Sequence, residues 1–251
     1  EATFARQKQM GIIPQNAKLA SRPEAIKAWD ALSPDEKALF ARQMEVFAAF
    51  AAHTDYEIGR VVKAIGDLGE IDNTLILYCA DNGASGEGSP NGSVNENRFF
   101  NGYPDDVACN LALIDPLGSP DTYNHYPTGW GLAFSTPYRM FKRYASYAGG
   151  TCDPLVIHWP KGIKARGEVR DQYHHCTDIV PTILQACGVA MREVIEGVKQ
   201  APLAGVPMNY SFNEASAPTT KETQYYEMCD TRGIWSKGWK AAAVHAPLPS
   251  D

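Results

Sequence analysis

Residues 74–83 read Thr74-Leu75-Ile76-Leu77-Tyr78-Cys79-Ala80-Asp81-Asn82-Gly83. The first seven are almost entirely apolar, which is typical of a strand buried on both faces of a parallel sheet. The next three lie at the carboxyl end of that strand, where open α/β sheets place their ligand sites. Asp81 and Asn82 each offer a side-chain oxygen, and Gly83 allows a ligand to approach the backbone closely. On the tripeptide alone, an Asx turn that merely ends the strand is an equally good interpretation.

Helical and strand patterns on both sides of this run give an α/β order of elements. Ser33-Pro34-Asp35-Glu36 has the form of a capping box, and apolar residues then recur every three or four positions. This predicts a helix over residues 34–68 that packs on a sheet, with a coiled coil as the alternative for a helix so long. A second buried strand is predicted at residues 154–159, a helix from Thr177-Asp178 to Gly188, and a late hairpin from strands near residues 223–228 and 235–244.

Residues 84–136 are rich in Gly, Asn, Pro and aromatic residues and show neither a helical nor a strand period. So long an irregular stretch predicts either a functional excursion or disorder, and its aromatic residues favour order. Four of them, Tyr123, Tyr126, Trp130 and Phe134, line an aryl pocket or only bury the loop that carries them. The sequence leaves both interpretations open.

The composition excludes two classes of partner. The chain has 251 residues, a net charge of -6 and a sequence pI near 5.5, so it has no electrostatic reason to bind nucleic acid or anionic lipid. No stretch approaches the roughly 20 apolar residues of a bilayer span, and we expect a soluble protein. The six cysteines contain no C-x-x-C pair and are predicted to be buried free thiols. The chain starts at Glu1 without a signal pattern, which favours a processed protein or a fragment and leaves its compartment open.

A series of motifs resembles those of the formylglycine-dependent (type I) sulfatases, in their arylsulfatase branch. In chain order these are Asp72-Asn73-Thr74-Leu75-Ile76, Asp81-Asn82-Gly83-Ala84, Asn97-Arg98-Phe99-Phe100-Asn101-Gly102, Tyr123-Asn124-His125-Tyr126-Pro127, Thr136-Pro137-Tyr138-Arg139-Met140-Phe141-Lys142, Gly149-Gly150 with Asp153-Pro154-Leu155, Asp178-Ile179-Val180-Pro181-Thr182, and Arg232-Gly233-Ile234 with Gly238-Trp239-Lys240. They cover nearly the whole chain. Their order and spacing together make a chance similarity improbable.

The resemblance implies an alkaline-phosphatase-like α/β fold, with a sheet flanked by helices, that hydrolyses sulfate esters at a Ca²⁺ or Mg²⁺ site. Asp81 and Asn82 match two ligands of that cation. Lys142 matches the catalytic lysine that binds the sulfate oxygens, where a compact ammonium group can follow the charge that develops during sulfuryl transfer. His125 is a further candidate for substrate binding, because imidazole titrates near neutral pH. Without the resemblance, Lys142 is more simply interpreted as a solvated surface lysine.

The chain departs from the family pattern at its nucleophile. Formylglycine is made from Cys or Ser in a Cys/Ser-x-Pro-x-Arg motif, and Cys152-Asp153-Pro154-Leu155-Val156 has Val in place of the required Arg. The opening aspartate pair and the other sulfate-binding residues are also absent. The simplest explanation is a middle-to-late fragment whose formylglycine lies in a missing N-terminal part. We assign residues 1–222 to a partial catalytic domain and residues 223–251 to the start of a C-terminal subdomain.

Two alternative functions remain open from the sequence. One is a phosphonate monoester hydrolase or another phosphoesterase relative with the same cation site. The other is a non-catalytic binding module that uses the aromatic loop between residues 99 and 134 for recognition. For the sulfatase fragment we expect no activity of the chain alone, weak binding of the divalent cation and self-association through exposed sheet.

Overall fold

A computed structural model describes residues 1–244, apart from the side chain of Phe99. The α-helices are α1 (Ala2–Gln9), α2 (Pro34–Asp67), α3 (Glu96–Phe100), α4 (Val107–Leu111), α5 (Thr128–Phe134) and α6 (Ile179–Cys187). The strands are β1 (Ile76–Cys79), β2 (Leu155–His158), β3 (Val194–Ile195), β4 (Val198–Lys199), β5 (Thr223–Met228), β6 (Thr231–Ser236) and β7 (Trp239–Ala243). No helix within residues 1–244 is both long enough and apolar enough to cross a membrane.

Helix α2 begins at the predicted capping box. The Ser33 hydroxyl accepts a hydrogen bond from the backbone N–H of Glu36 at 3.1 Å, and the Glu36 carboxylate accepts one from the Ser33 N–H at 2.7 Å. The predicted helix is therefore confirmed, ending one residue early at Asp67. Only its first part is buried, through Leu39, Phe40 and Gln43.

Strands β1 and β2 pair in an antiparallel ladder, with Cys79 opposite Leu155 and Ile76 opposite His158. The predicted parallel arrangement is wrong for this pair. The chain leaves β1 and enters β2 at the same end of the ladder, whereas a parallel pair needs a crossover to the opposite end. Burial on both faces is also wrong for this pair, since Tyr78 is 55% exposed and Val156 is 58% exposed.

The loop over residues 84–136 is ordered, as its aromatic residues predicted. It contains α3, α4 and α5, and two isolated β-bridges join Ser93 to His125 and Asn95 to Tyr123. The main hydrophobic cluster lies where this loop packs on the N-terminal part of α2 and is formed by Leu39, Phe40, Val94 and Leu117. The loop therefore supplies two of the four residues of this cluster, Val94 and Leu117, and packs against the helix.

The C-terminal region differs from the predicted hairpin by one strand. A turn with positive φ at Lys237 and Gly238 divides the predicted second strand, so β5, β6 and β7 form a three-stranded antiparallel sheet. The predicted helix α6 is confirmed and ends at Gly188, which has the left-handed conformation that helix ends favour. All six cysteines are free, as expected, but five are exposed and Cys109 is half-buried, so their predicted burial is wrong.

Asp178 connects three segments of this region. Its fully buried carboxylate accepts hydrogen bonds from the Lys221 ammonium at 2.7 Å and from the backbone N–H groups of His175 and Val206, both at 2.9 Å. Burial would raise the pKa of Asp178, but hydrogen bonds from His174, Lys221 and the backbone outweigh it and hold that pKa well below its ordinary value. The ionised carboxylate therefore stabilises the folded chain.

Candidate functional site

The turn at Asp81-Asn82-Gly83 lies directly beyond β1, as predicted. Asp81 is exposed, and the Asn82 side-chain amide donates a hydrogen bond to the Gly83 carbonyl at 2.9 Å. This bond fixes the orientation of the Asn82 amide and leaves its oxygen available to a cation. Carboxylate and amide oxygens are the ligands that Ca²⁺ and Mg²⁺ prefer.

Three glycine contacts connect this turn to the segment that carries Lys142. A Cβ atom added at Gly83 would lie 2.0 Å from the Gly149 carbonyl oxygen, and one added at Gly149 would lie 1.9 Å from the Met140 carbonyl oxygen. A Cβ atom added at Gly150 would lie 2.7 Å from the Phe141 carbonyl oxygen, which is also closer than a real Cβ contact. Such backbone contacts require glycine, and they bring three separate sequence motifs into one packed unit.

Lys142 is held in the same unit through both its backbone and its side chain. Its backbone N–H donates to the Ala84 carbonyl at 2.9 Å, and its ammonium group donates to the Glu87 carboxylate at 2.7 Å. Both side chains are partly buried, at 31% and 26% exposed. Burial would raise the pKa of Glu87, but the hydrogen bond and positive charge of Lys142 lower it overall, so Glu87 is ionised. Lys142 is thus an oriented ammonium group and not a freely solvated lysine.

His125 lies in the adjoining loop with both ring nitrogens occupied. Nδ1 lies 2.7 Å from the Tyr126 carbonyl oxygen, which only accepts, so Nδ1 carries a proton and donates it. In the neutral ring, Nε2 then accepts from the Ser85 hydroxyl at 2.8 Å, with the Glu96 carboxylate 3.7 Å away. Ser85 therefore covers Nε2, and His125 contacts a substrate only if Ser85 moves aside.

Sequence reasoning missed three residues of this neighbourhood, namely Ser85, Glu87 and Asp153. Extending the β1–β2 register by two residues places Asp153 opposite Asp81, and burial together with the Asp81 charge raises the pKa of Asp153 to about 6. An antiparallel register would have identified Asp153 from the sequence. Glu87 and Ser85 carry no such signal, because only the folded loop returns them to Lys142 and His125.

The oxygen donors fit part of a cation shell. Within residues 1–244, no group of three or more His, Cys, Asp or Glu side chains is arranged to hold a metal ion. The Asp81 carboxylate and the Asn82 amide would offer two of the six to eight oxygens that Ca²⁺ takes, so these two side chains alone do not complete its shell. The hard-oxygen chemistry of the turn is suitable for Ca²⁺ or Mg²⁺, and its ligand number is incomplete.

Comparison with known proteins identifies the family of the chain. The Sulfatase family profile matches residues 4–189, which is most of the chain. The chain belongs to the sulfatase family. It therefore has the alkaline-phosphatase-like fold that its motifs predicted, here with mixed helix and sheet and a small antiparallel sheet near its C-terminus.

Two relatives give the extent of the similarity. A protein of Schizosaccharomyces pombe described as an uncharacterized sulfatase is 33% identical over 242 residues, which is 95% of this chain. An arylsulfatase of Klebsiella aerogenes is 27% identical over 209 residues, which is 82% of this chain. In each case the match spans 42% of the relative. The chain therefore covers less than half the length of either sulfatase.

Proposed function

We propose that this chain is the middle-to-late part of an arylsulfatase, a sulfuric ester hydrolase that acts on sulfate esters at a divalent-cation site. Family membership supports the reaction class. The observation that carries the proposal is the packing of Gly83 on Gly149 and of Gly149 on Met140, because it brings the Asp81-Asn82 turn beside the segment that presents Lys142.

The proposed roles follow from the chemistry of each group. Asp81 and Asn82 would hold Ca²⁺ or Mg²⁺, and a bound divalent cation supplies charge that polarises sulfate oxygens. The Lys142 ammonium group has three donors, of which one is directed to Glu87, so the others are available to a sulfate oxygen. Glu87 fixes the ammonium group through their hydrogen bond of 2.7 Å. His125 itself remains a proposed substrate ligand that requires Ser85 to move.

The one Cys/Ser-x-Pro-x-Arg match in the sequence is Ser135-Thr136-Pro137-Tyr138-Arg139. Ser135 is buried, and its hydroxyl donates a hydrogen bond to the Gly131 carbonyl at 3.1 Å. We expect the chain alone to be inactive because a serine held in this way does not supply an accessible formylglycine nucleophile. The test is incubation of the chain with a chromogenic aryl sulfate and Ca²⁺, with an aryl phosphate and an aryl phosphonate measured in parallel. Turnover of the sulfate that is abolished by Asp81→Ala would contradict the fragment interpretation. Turnover of the phosphate or phosphonate alone would contradict the sulfatase assignment.

Weak cation binding is the second expectation. One carboxylate and one amide oxygen leave most of the shell to water, so Ca²⁺ should bind with a Kd of about 1 mM or weaker. Calorimetry of the chain against Ca²⁺ measures this, with Asp81→Asn as the variant and Asp121→Asn, an exposed carboxylate in the distant loop, as the matched control. Tight stoichiometric binding would show that the ligand set within the chain is larger than Asp81 and Asn82.

Self-association is the third part of the proposal. Phe50 and Val61 on α2 and Leu68 directly after it are 69%, 62% and 77% exposed and are spaced by whole helical turns. Tyr78 and Val156 are exposed on the β1–β2 ladder. A two-stranded ladder also leaves unpaired backbone groups at its edges. A second copy of the chain would cover both features with one two-fold interface.

The oligomeric state tests this part directly. Light scattering after size exclusion should give a mass above 27.5 kDa that falls to the monomer value in Val61→Glu. Trp239→Glu, which alters an 83% exposed side chain on β7, is the matched control and should leave the mass unchanged. A monomeric parent chain at concentrations of about 100 μM would refute self-association through this surface.

A further inference from the structure

An apolar cavity opens to the surface beside Lys142. Its volume is about 600 Å³, and it forms where residues 19–32 cover the loop segments around Gly86 and Trp130. Its principal apolar walls are Ile26, Trp29, Phe40, Trp130, Tyr138 and Phe141. Of the four aromatic residues that the sequence suggested for an aryl pocket, only Trp130 lines this cavity. Tyr126 instead packs in the core on Phe47, with ring centroids 4.8 Å apart.

The aromatic walls of the cavity are fixed in place. The Trp130 indole N–H donates to the Phe40 carbonyl at 3.1 Å, which attaches α5 to α2, and the Trp29 ring packs 5.6 Å from the Trp130 ring. Phe141 is 7% exposed and lies against Gly86, where an added Cβ would be 2.2 Å from the ring. A preformed cavity of this kind binds a ligand without first having to order its own side chains.

Charge at the cavity complements an anionic group. The lining includes four basic side chains and two acidic ones, Arg22, Lys27, Lys142 and Arg143 against Glu36 and Glu87. Two ion pairs form among these residues, Lys27 with Glu36 and Lys142 with Glu87, each with an N–O distance of 2.7 Å. The lining therefore places the oriented Lys142 ammonium group beside otherwise apolar walls, which is suited to a molecule with one anionic end and one hydrophobic end.

We infer that this cavity binds the hydrophobic alcohol portion of the sulfate ester, and that this portion is a fused-ring or larger group instead of a single benzene ring. The inference rests on the proposed function, which assigns the sulfate to Lys142. Volume carries the size argument, because a cavity of about 150 Å³ already holds benzene, whereas this one has about 600 Å³. A single ring would leave most of the aromatic walls without contacts.

The test measures binding of 2-naphthol and phenol to the chain by quenching of tryptophan fluorescence, since Trp29 and Trp130 both line the cavity. Neither probe carries sulfate, so the measurement reports binding to the cavity without a sulfate contact to Lys142. We expect 2-naphthol to bind at least about tenfold more tightly than phenol, which corresponds to about 1.4 kcal/mol. Equal affinities for the two probes would overturn the size assignment.

Gly129→Leu provides the blocking variant. An added Cβ at Gly129 has Ile26 Cγ2 as its nearest heavy atom among the described residues, at 3.7 Å, so a larger side chain extends toward the cavity wall without a backbone clash. This variant should weaken 2-naphthol binding at least about tenfold. Gly59→Leu on α2, where nothing lies within 4 Å, is the matched control and should bind normally. Ile26→Trp fills the same space from the opposite wall and serves if Gly129→Leu does not fold.

A second ligand separates failure of this inference from failure of the proposed function. 2-Naphthyl sulfate should bind more tightly than 2-naphthol, and Lys142→Ala should weaken binding of 2-naphthyl sulfate more than binding of 2-naphthol, so that the difference between the two ligands disappears. If 2-naphthol binds but sulfate adds nothing, the role of Lys142 is wrong and the cavity assignment stands. If 2-naphthol binding is unaffected by both Gly129→Leu and Ile26→Trp, the cavity assignment is wrong whatever the result with sulfate.

Discussion

Gly83→Ala tests the contact on which the assembly of the candidate site depends. The added Cβ would lie 2.0 Å from the Gly149 carbonyl oxygen, 3.0 Å from the Gly149 carbonyl carbon and 3.2 Å from the Gly150 Cα. All three atoms belong to the backbone, so no side chain can rotate away. Ordinary van der Waals contact begins at 3.4 Å, and the carbonyl oxygen must therefore move by about 1.4 Å relative to Gly83.

We expect a large loss of stability because the Gly149 backbone has little space into which it can move. Gly149 cannot retreat toward Met140, because its own Cβ position is already 1.9 Å from the Met140 carbonyl oxygen. Overpacking of a well-packed region lowers the free energy of unfolding by about 1–3 kcal/mol. A clash with backbone atoms belongs at the upper end of that range, at about 3 kcal/mol. Under the proposed function, a displacement of about 1 Å between the Asp81-Asn82 turn and Lys142 would also reduce the activity of an arylsulfatase that contains this chain by about 100-fold.

Urea unfolding followed by circular dichroism measures the stability change. With a slope of about 2 kcal/mol per molar urea, the midpoint of Gly83→Ala should fall by about 1.5 M. Gly59→Ala in the exposed middle of α2 is the matched control, and it should stabilise the chain by about 0.5–1 kcal/mol because Ala is the better helix former. A Gly83→Ala midpoint equal to that of the parent chain would refute the close packing of the turn on Gly149.

Three further predictions concern local stability. Lys221→Met leaves the buried Asp178 carboxylate without its ammonium partner, so it should lower the free energy of unfolding at pH 7 by about 3–5 kcal/mol. Urea unfolding measures this change, and a loss below about 1 kcal/mol would contradict the pairing. The folded-state pKa of Asp178 lies below its ordinary value of 3.8, so its stabilising contribution is complete above that pH and is lost as the pH falls below it. Asp178→Asn should therefore flatten the thermal-stability profile between pH 5 and pH 2 relative to the parent, and an unchanged profile would contradict the lowered pKa. Ser33→Ala should lower the free energy of unfolding by about 1 kcal/mol in the same urea assay, while Ser33→Asp should retain most of it; equal losses would exclude a capping role.

The sequence by itself determined the features that depend on near neighbours. Ser33 and Glu36 form the capping box that starts α2, and Gly188 ends α6, because these hydrogen bonds and backbone angles involve residues only a few positions apart. The apolar run before Asp81 likewise predicted both a strand and the polar turn at its end. The order of the motifs was sufficient to indicate the sulfatase family, since a family resemblance depends on residue identity and spacing and not on contacts.

Only the tertiary structure decided how these pieces meet. Continuous apolar runs are compatible with either strand direction, so the antiparallel β1–β2 register that places Asp153 opposite Asp81 was not readable from them. The pairing of Lys142 with Glu87 joins residues 55 positions apart through an irregular loop that has no period to interpret. The cavity forms only because residues 19–32 fold back over Trp130. Long-range packing selects these contacts by shape and charge, and such selection leaves no local pattern in the sequence.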